Sequence, residues 1–182
     1  MKKNLGFTML ELMTVVAIIS ILIALAIPNL NQWVSERGVK NAASDLYGNF
    51  YRAKSEAIMR NTRVTVTFDQ LLSPPVVTQA EVFFYVIYVD NDNDMERDVG
   101  EAVLAMSSWR SYSGVSLDLA NKGGNNFRIN NQGLSSVSFL PNGLTVNLVG
   151  AFGSGTVSLK NDNNQKRAVT INSTGYISVE KY

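Results

Sequence analysis

Three patterns of hydrophobic and polar positions follow one another along this chain. From Phe7 to Ile27 the residues are apolar almost without a break, and the carboxylate of Glu11 is the sole charge among them. From Leu30 onward, Leu30, Trp33, Val34, Ala42, Ala43, Leu46, Tyr47, Phe50, Ala53, Ala57 and Ile58 recur at steps of three and four. Glu36, Arg37, Lys40, Asp45, Arg52, Lys54, Glu56 and Arg60 mostly fill the other positions. That period belongs to an amphipathic helix. The pattern predicts one long helix, apolar in its first half, amphipathic in its second, ending near Asn61. Pro28 lacks a backbone donor and its ring crowds the carbonyl of Ala24, which predicts a kink between the halves. Leu46, Phe50, Ala53, Ala57 and Ile58 form the expected inner stripe of the second half.

Beyond Asn61 the period becomes that of strands. Val64–Phe68, Val82–Val89, Ala102–Met106, Phe127–Ile129, Val137–Leu140, Leu144–Val149, Thr156–Lys160, Ala168–Asn172 and Tyr176–Val179 are short, β-branched and bounded by Gly, Asn and Pro. Pro141-Asn142-Gly143 and Ser173-Thr174-Gly175 read as hairpin connections, and Ser73-Pro74-Pro75 and the stretch 121–126 as loops. The fold class expected is α+β: a long N-terminal helix, with an antiparallel β-sheet domain packed on its amphipathic half. The boundaries expected are 7–28 for the apolar half, 29–61 for the amphipathic half and 62–182 for the β domain.

Composition narrows the chemistry. The chain has 182 residues, a formal net charge of +1, no histidine and no cysteine. Cys/His zinc sites, Ser-His-Asp and Cys-His nucleophiles, haem attachment and disulfides are thereby excluded. No carboxylates or lysines pair at a catalytic spacing, so the expectation is a protein that is not an enzyme. With acids and bases nearly balanced, no long-range field draws nucleic acid to the whole surface.

The first thirty residues admit three readings. The run Phe7–Ile27 is long enough to span a bilayer as a helix, and Lys2 and Lys3 would keep its start cytoplasmic. An ordinary signal peptide, cut after Ala24-Leu25-Ala26, is the second reading, which Glu11 and Pro28 fit badly. The third is a plain anchor with Glu11 near the interface. An ionisable residue in a membrane segment is by default functional, and a partner cation is its natural counterpart.

One loop carries candidate metal chemistry. Asp90, Asp92, Asp94, Glu96, Asp98 and Glu101 stand at loop positions 1, 3, 5, 7, 9 and 12, the spacing by which an EF-hand loop surrounds Ca²⁺. Met95 occupies the place where such a loop turns on Gly, and a strand precedes the loop where an EF-hand has a helix. The alternative is a solvated hairpin loop without metal, because Asp and Asn favour turns. Ca²⁺ is the one cofactor the sequence raises.

The residues Lys2-Lys3-Asn-Leu-Gly6-Phe7-Thr8-Met9-Leu10-Glu11-Leu12 resemble the class III signal of type IV prepilins and type II secretion pseudopilins, and Pro28 falls where that family carries its kinking proline. Tyr51–Asn61 with Val64–Phe68 is similar to the helix-to-first-strand passage of GspH/FimT-type minor pilins and pseudopilins. Phe139–Gly143 and Val169–Val179 are similar to late strands of that group. The resemblance implies a leader peptide 1–6, cleavage between Gly6 and Phe7 by a prepilin peptidase, and N-methylation at Phe7. It also implies that Glu11 pairs with the amino group of Phe7 on a neighbouring subunit. The function implied is a minor pilin or pseudopilin, a structural subunit acting in initiation or at the tip of a type IV pilus or type II secretion pseudopilus. Its partners would be other pilins or pseudopilins, the peptidase, the inner-membrane assembly platform and, before assembly, membrane lipid. Its place would be the bacterial inner membrane as a single-pass protein with a periplasmic domain, then the filament. DNA uptake through the exposed domain is the alternative. It would need a basic patch, for which Lys160, Lys166 and Arg167 are the only candidates near the tail, so DNA is not an expected partner.

Overall fold

The computed structural model describes residues 8–72, 77–121 and 123–182, and for residues 25–35 the helical backbone without the side chains. The long helix is present as α1, Met9–Arg60, and it ends where the sequence predicts. Asn61 takes the left-handed conformation (φ 51°, ψ 41°), and its N–H returns to the carbonyls of Ala57 and Ile58. Asn tolerates that conformation better than other residues with a Cβ, so it stops the helix without a glycine. The backbone of α1 continues through Pro28. The kink expected there falls among side chains outside the described residues, as does the loop 73–75.

Among the described residues nine strands follow, all paired antiparallel, in two sheets. β1 (Arg63–Leu72), β2 (Glu81–Asp90), β3 (Val103–Ser108), β5 (Ser136–Phe139) and β6 (Thr145–Val146) form one sheet in the order β3-β2-β1-β5-β6. β4 (Val115–Leu117), β7 (Gly155–Asn161), β8 (Lys166–Ile171) and β9 (Ile177–Lys181) form the other in the order β4-β7-β8-β9. The helix joins the two sheets. Val39, Ala42, Ala43, Leu46, Phe50, Ala53 and Ala57 are buried in one core with Val64, Val66 and Phe68 of β1, and with Val157, Leu159, Val169 and Ile171 of β7 and β8. The α+β class is therefore as predicted.

Several expectations need correction. Ile58 is 49% exposed and does not belong to the inner stripe, which runs instead through Val39 and Ala43. Phe127–Ile129 is not a strand. Phe127 is buried, and its ring stacks on Phe68 at 5.5 Å between centroids and 10° between planes. A Cβ at Gly155 would sit 2.3 Å from that ring, so the missing side chain in β7 makes the space for it. The apolar residue marks a core anchor on a loop, not a pleat. The strand predicted over Leu144–Val149 stops at Val146, because Asn147 Oδ1 accepts from the N–H groups of Val149 and Ala151 and turns the chain. The short strand β4 and the single 3₁₀ turn Trp109–Ser111 were not predicted, being too brief to show a period.

On β1 the alternate residues Thr65 and Thr67 are also buried, on the face opposite Val64 and Val66. Thr65 Oγ1 lies 2.6 Å from Ser138 Oγ, Thr67 Oγ1 lies 3.1 Å from Ser136 Oγ, and Thr65 donates to Asp90 Oδ2 at 2.7 Å. This row of satisfied hydroxyls leads directly to the acidic loop.

Candidate functional site

Two places in the molecule carry the predicted functional residues. At the start of α1, Thr8 is the N-cap in an extended conformation, and its hydroxyl accepts from the N–H of Glu11 at 3.2 Å. Glu11 Oε2 in turn accepts from the backbone N–H of Thr8 at 3.1 Å and from its hydroxyl at 3.2 Å. This reciprocal capping box satisfies two of the helix's free donors. The carboxylate is thus held at the positive end of the helix, beside the residue that follows Phe7. Gly6 and Phe7 lie outside the described residues, and so does the side chain of Pro28. After Glu11, every large apolar side chain of this part is exposed, from 43% at Val15 to 66% at Met13. The interspersed hydroxyls return to the helix: Thr14 donates to the carbonyls of Leu10 and Glu11, and Ser20 to that of Val16. These turns therefore present carbon to their surroundings and keep their polar groups internal, as a helix in lipid or in a bundle must. Among the described residues no helix is long and apolar enough to cross a membrane. The apolar run itself continues to Ile27, past Ala24, the last side chain described there.

The acidic loop between β2 and β3 gathers some of its predicted ligands and disperses others. One oxygen from each of Asp90, Asp92 and Asp94 lies within 4.8 Å of the others. Asp90, the last residue of β2, is buried, Asp94 is half-buried and Asp92 is exposed. Asn93 (φ 69°) and Met95 (φ 62°) are both left-handed, so the position that lacks glycine makes the left-handed turn regardless. Met95 can do so because its side chain is buried, its N–H donates to Asp90 Oδ2 at 3.2 Å, and its carbonyl accepts from Asn130 Nδ2 at 2.8 Å. Glu101 is used differently from an EF-hand's twelfth residue. Its two oxygens accept from the backbone N–H groups of Asn91 (2.8 Å) and Asp98 (3.1 Å) and close the loop from behind. Glu96 and Asp98 do not join the converging oxygens. Burial pushes the Asp90 carboxyl above the ordinary carboxylate range, against the Thr65 hydroxyl and the charge of Arg63. Burial also raises Glu101, with Asp90 and Asp92 adding to it and the two backbone N–H groups opposing.

The model of the type II transport protein GspH matches residues 42–175, and that of the prokaryotic N-terminal methylation motif matches residues 1–27. The chain belongs to the type II transport protein GspH family. It is accordingly a minor pilin or pseudopilin, a structural subunit in the assembly of a pilus or a type II secretion pseudopilus. The GspH fold seen here is similar to that of the type IV minor pilin FimU of Pseudomonas aeruginosa (strain PAO1). The match has 13% identity and a TM-score of 0.54, over 81% of this chain and 92% of that one. It is also similar to the minor pseudopilin EpsH of the Vibrio cholerae type 2 secretion system, with 11% identity and a TM-score of 0.45, over 79% of this chain and 96% of that one. No curated protein matches the chain.

The GspH domain holds one polar hub that sequence reasoning missed. Asp45, assigned only as an outward polar position of the helix, accepts from the hydroxyl of Tyr85 in β2 at 2.5 Å and from the hydroxyl of Tyr112. Asn49 adds a bond to Tyr85 Oη at 2.8 Å. The hub fastens the outer side of α1 to the first sheet, and no spacing in the sequence announces it. The basic residues weighed for DNA are differently employed. Lys166 and Lys160 both face Asp118, at 2.8 and 3.9 Å, so one carboxylate offsets part of their charge, while Arg167 donates to the Lys166 carbonyl; nothing favours the DNA-uptake reading.

Proposed function

We propose that this subunit is made as a single-pass inner-membrane protein with its β domain in the periplasm. In this reading a prepilin peptidase cuts it between Gly6 and Phe7, it is methylated at the amino group of Phe7, and the assembly platform moves it into the filament. The observation that carries the reading is the contrast within α1. Its second half buries a continuous stripe against both sheets, while the large apolar side chains from Met9 to Ile23 belong to no core cluster and are 43–82% exposed. A row of Leu, Ile and Val left uncovered in water is unfavourable at about 25 cal/mol per Å², so these turns need an apolar surround. Thr8 to Ala24 rises about 24 Å at 1.5 Å per residue, against a hydrocarbon core about 30 Å thick, and the sequence stays apolar as far as Ile27. Lipid supplies the surround before assembly and neighbouring helices supply it afterwards. In the same reading Glu11, whose capping box holds it at the helix start, pairs with the amino group of Phe7 on a neighbouring subunit.

The test is the amino-terminal sequence and intact mass of the protein recovered from cells that make it. A chain beginning at methylated Phe7 is the expected result. A chain beginning at Ile27 would make the segment an ordinary signal peptide, and an uncut Met1 a plain anchor; either would overturn the proposal.

A further inference from the structure

We propose that the β2–β3 loop is a Ca²⁺ site built on Asp90, Asp92 and Asp94. Convergent carboxylates alone are common on protein surfaces and would not carry this. The independent observation is the state of Asp90. Its side chain is fully buried, and while Oδ2 accepts from Thr65 and Met95, Oδ1 has no hydrogen-bond partner although it is buried too. A buried carboxylate oxygen without a donor or a cation is costly, and this one belongs to the group whose oxygens meet those of Asp92 and Asp94 within 4.8 Å.

The protein's own cations answer that charge only from a distance, through Arg63. Among the described residues none of the three carboxylates enters an ion pair. Arg63, opposite Asp90 in the β1–β2 register, directs Nη1 to the carbonyl of Asn93 at 2.8 Å. Arg97, further along the loop, has its Nε buried without a partner. An exogenous cation bound by the three carboxylates, with Asp90 ligating through Oδ1, would give that oxygen the partner it lacks. The donors are all hard oxygens, which select Ca²⁺ or Mg²⁺ over softer metals. Two oxygens bound to one Ca²⁺ at about 2.4 Å can stand up to about 4.8 Å apart, and Ca²⁺ accepts the irregular geometry of a loop. Mg²⁺ demands a tighter octahedron and gives up water reluctantly. With Glu101 committed to two backbone N–H groups, the bidentate acid of an EF-hand is missing, which places the site among weak ones, with a Kd on the order of 10⁻⁴–10⁻³ M. Bound Ca²⁺ would fasten the loop between the end of β2 and Asn130, which already holds the Met95 carbonyl.

The experiment uses the full chain in detergent micelles, stripped with a chelator and titrated with CaCl₂ or MgCl₂ alone. Calorimetric binding, thermal midpoint and the rate of tryptic cleavage after Arg97 are followed. Saturable Ca²⁺ binding is expected, with a raised midpoint and slower cleavage. Asp92→Asn and Asp94→Asn, at positions that are not fully buried, should weaken binding about tenfold or more, because site charge sets affinity. Asp98→Asn, outside the converging group, should bind as the parent does. The proposal is overturned by any of three results: no saturable binding at about 10 mM Ca²⁺, ten times the weakest Kd expected; affinity unchanged by Asp92→Asn and Asp94→Asn; or Mg²⁺ binding as tightly as Ca²⁺.

Discussion

Gly175 approaches Gly143 so closely that a Cβ on Gly175 would stand 2.1 Å from the carbonyl oxygen of Gly143. The two glycines end the turns after β5 and after β8, one in each sheet. Thr145 bonds across to the carbonyls of Ser173 and Asn172, and Lys54 of α1 donates to the Gly175 carbonyl at 3.0 Å. Helix and both sheets therefore meet at one point that admits no side chain. Gly175 also has φ +72°. Gly175→Ala should destabilise the domain by more than the about 1–3 kcal/mol that a left-handed residue with a Cβ costs. Gly133→Ala, at φ +78° with open space around it, is the control that carries the conformational cost alone. Urea unfolding of the two variants isolates the contact by difference.

Phe50 is the centre of the aromatic core, with ring centroids of Phe68, Phe127 and Phe139 at 6.1, 6.2 and 6.3 Å. Phe50→Ala should cost about 3–5 kcal/mol, the usual range for emptying a buried aromatic position. Ile58→Ala, which the hydrophobic period alone would rank beside it, should cost well under half of that because the side chain is 49% exposed. Equal losses in denaturant unfolding would show that Ile58 does pack inward.

The comparison of Phe50 with Ile58 indicates how far the sequence could be read. Helical spacing located Leu46, Phe50, Ala53 and Ala57 correctly because four consecutive inward turns leave no freedom of phase. At the last turn Ala57 stays on the inner face, while Ile58, one residue on and about 100° round the helix, is half-exposed. The strands β1 and β2 were legible for the same reason: they are long, with Val64, Val66 and Phe68 on one face of β1 and Val82–Val89 apolar throughout in β2. Phe127 was misread as a strand residue because its burial depends on the gap at Gly155, twenty-eight positions away in sequence. At the acidic loop, alternate spacing identified Asp90, Asp92 and Asp94. Glu101 satisfies the same spacing, yet its oxygens go to backbone N–H groups that no sequence pattern reveals. The Asp45 hub was illegible altogether, since an aspartate on a helix normally faces water and the tyrosines come from distant segments.

That hub has a consequence at high pH. Burial, together with the Asp45 carboxylate that its hydroxyl bonds, pushes Tyr112 up to about 12, and burial followed by Asp45 also raises Tyr85. A group raised in the folded state contributes stability that is complete below its unfolded value and disappears as pH climbs through the folded one. For Tyr112 that window runs from about 10 to about 12. Near-ultraviolet titration should show Tyr85 and Tyr112 silent in this window until the domain unfolds. Asp45→Asn should bring the Tyr112 transition down, and an unmoved transition would show that burial alone sets it.

At low pH the control passes to Asp118. The Lys166 ammonium holds its carboxyl below the usual range, with the hydroxyl of Tyr182 and the charge of Lys160 helping. The sign is opposite to that of Tyr112: the contribution is present above the ordinary carboxylate value and is lost as pH falls through the lowered one. Asp90 and Glu101, raised by burial, act in the other direction and favour the folded state as they protonate. Asp118→Asn should therefore lower the thermal midpoint near neutrality and lose the steep part of the acid limb. A parallel downward shift at every pH would mean that Asp118 contributes packing and no linkage.

The last prediction separates the two roles Glu11 can play. As the third residue of a capping box it needs only an acceptor, and glutamine serves there nearly as well as glutamate. As the partner of an amino group in an apolar surround it needs a negative charge, which no neutral side chain replaces. Glu11→Gln should keep the bonds to Thr8 and be cut after Gly6 as the parent is, yet enter filaments at least about tenfold less, because a buried ammonium without a counter-charge is strongly disfavoured. Glu11→Ala should also be cut normally and assemble no better, while its first helical turn frays faster in amide hydrogen exchange. If Glu11→Gln assembled like the parent and Glu11→Ala did not, capping would be the whole of the residue's work and the intersubunit pair would be wrong. Filament yield and exchange at Thr8 and Glu11, measured on the same two variants, decide between these cases.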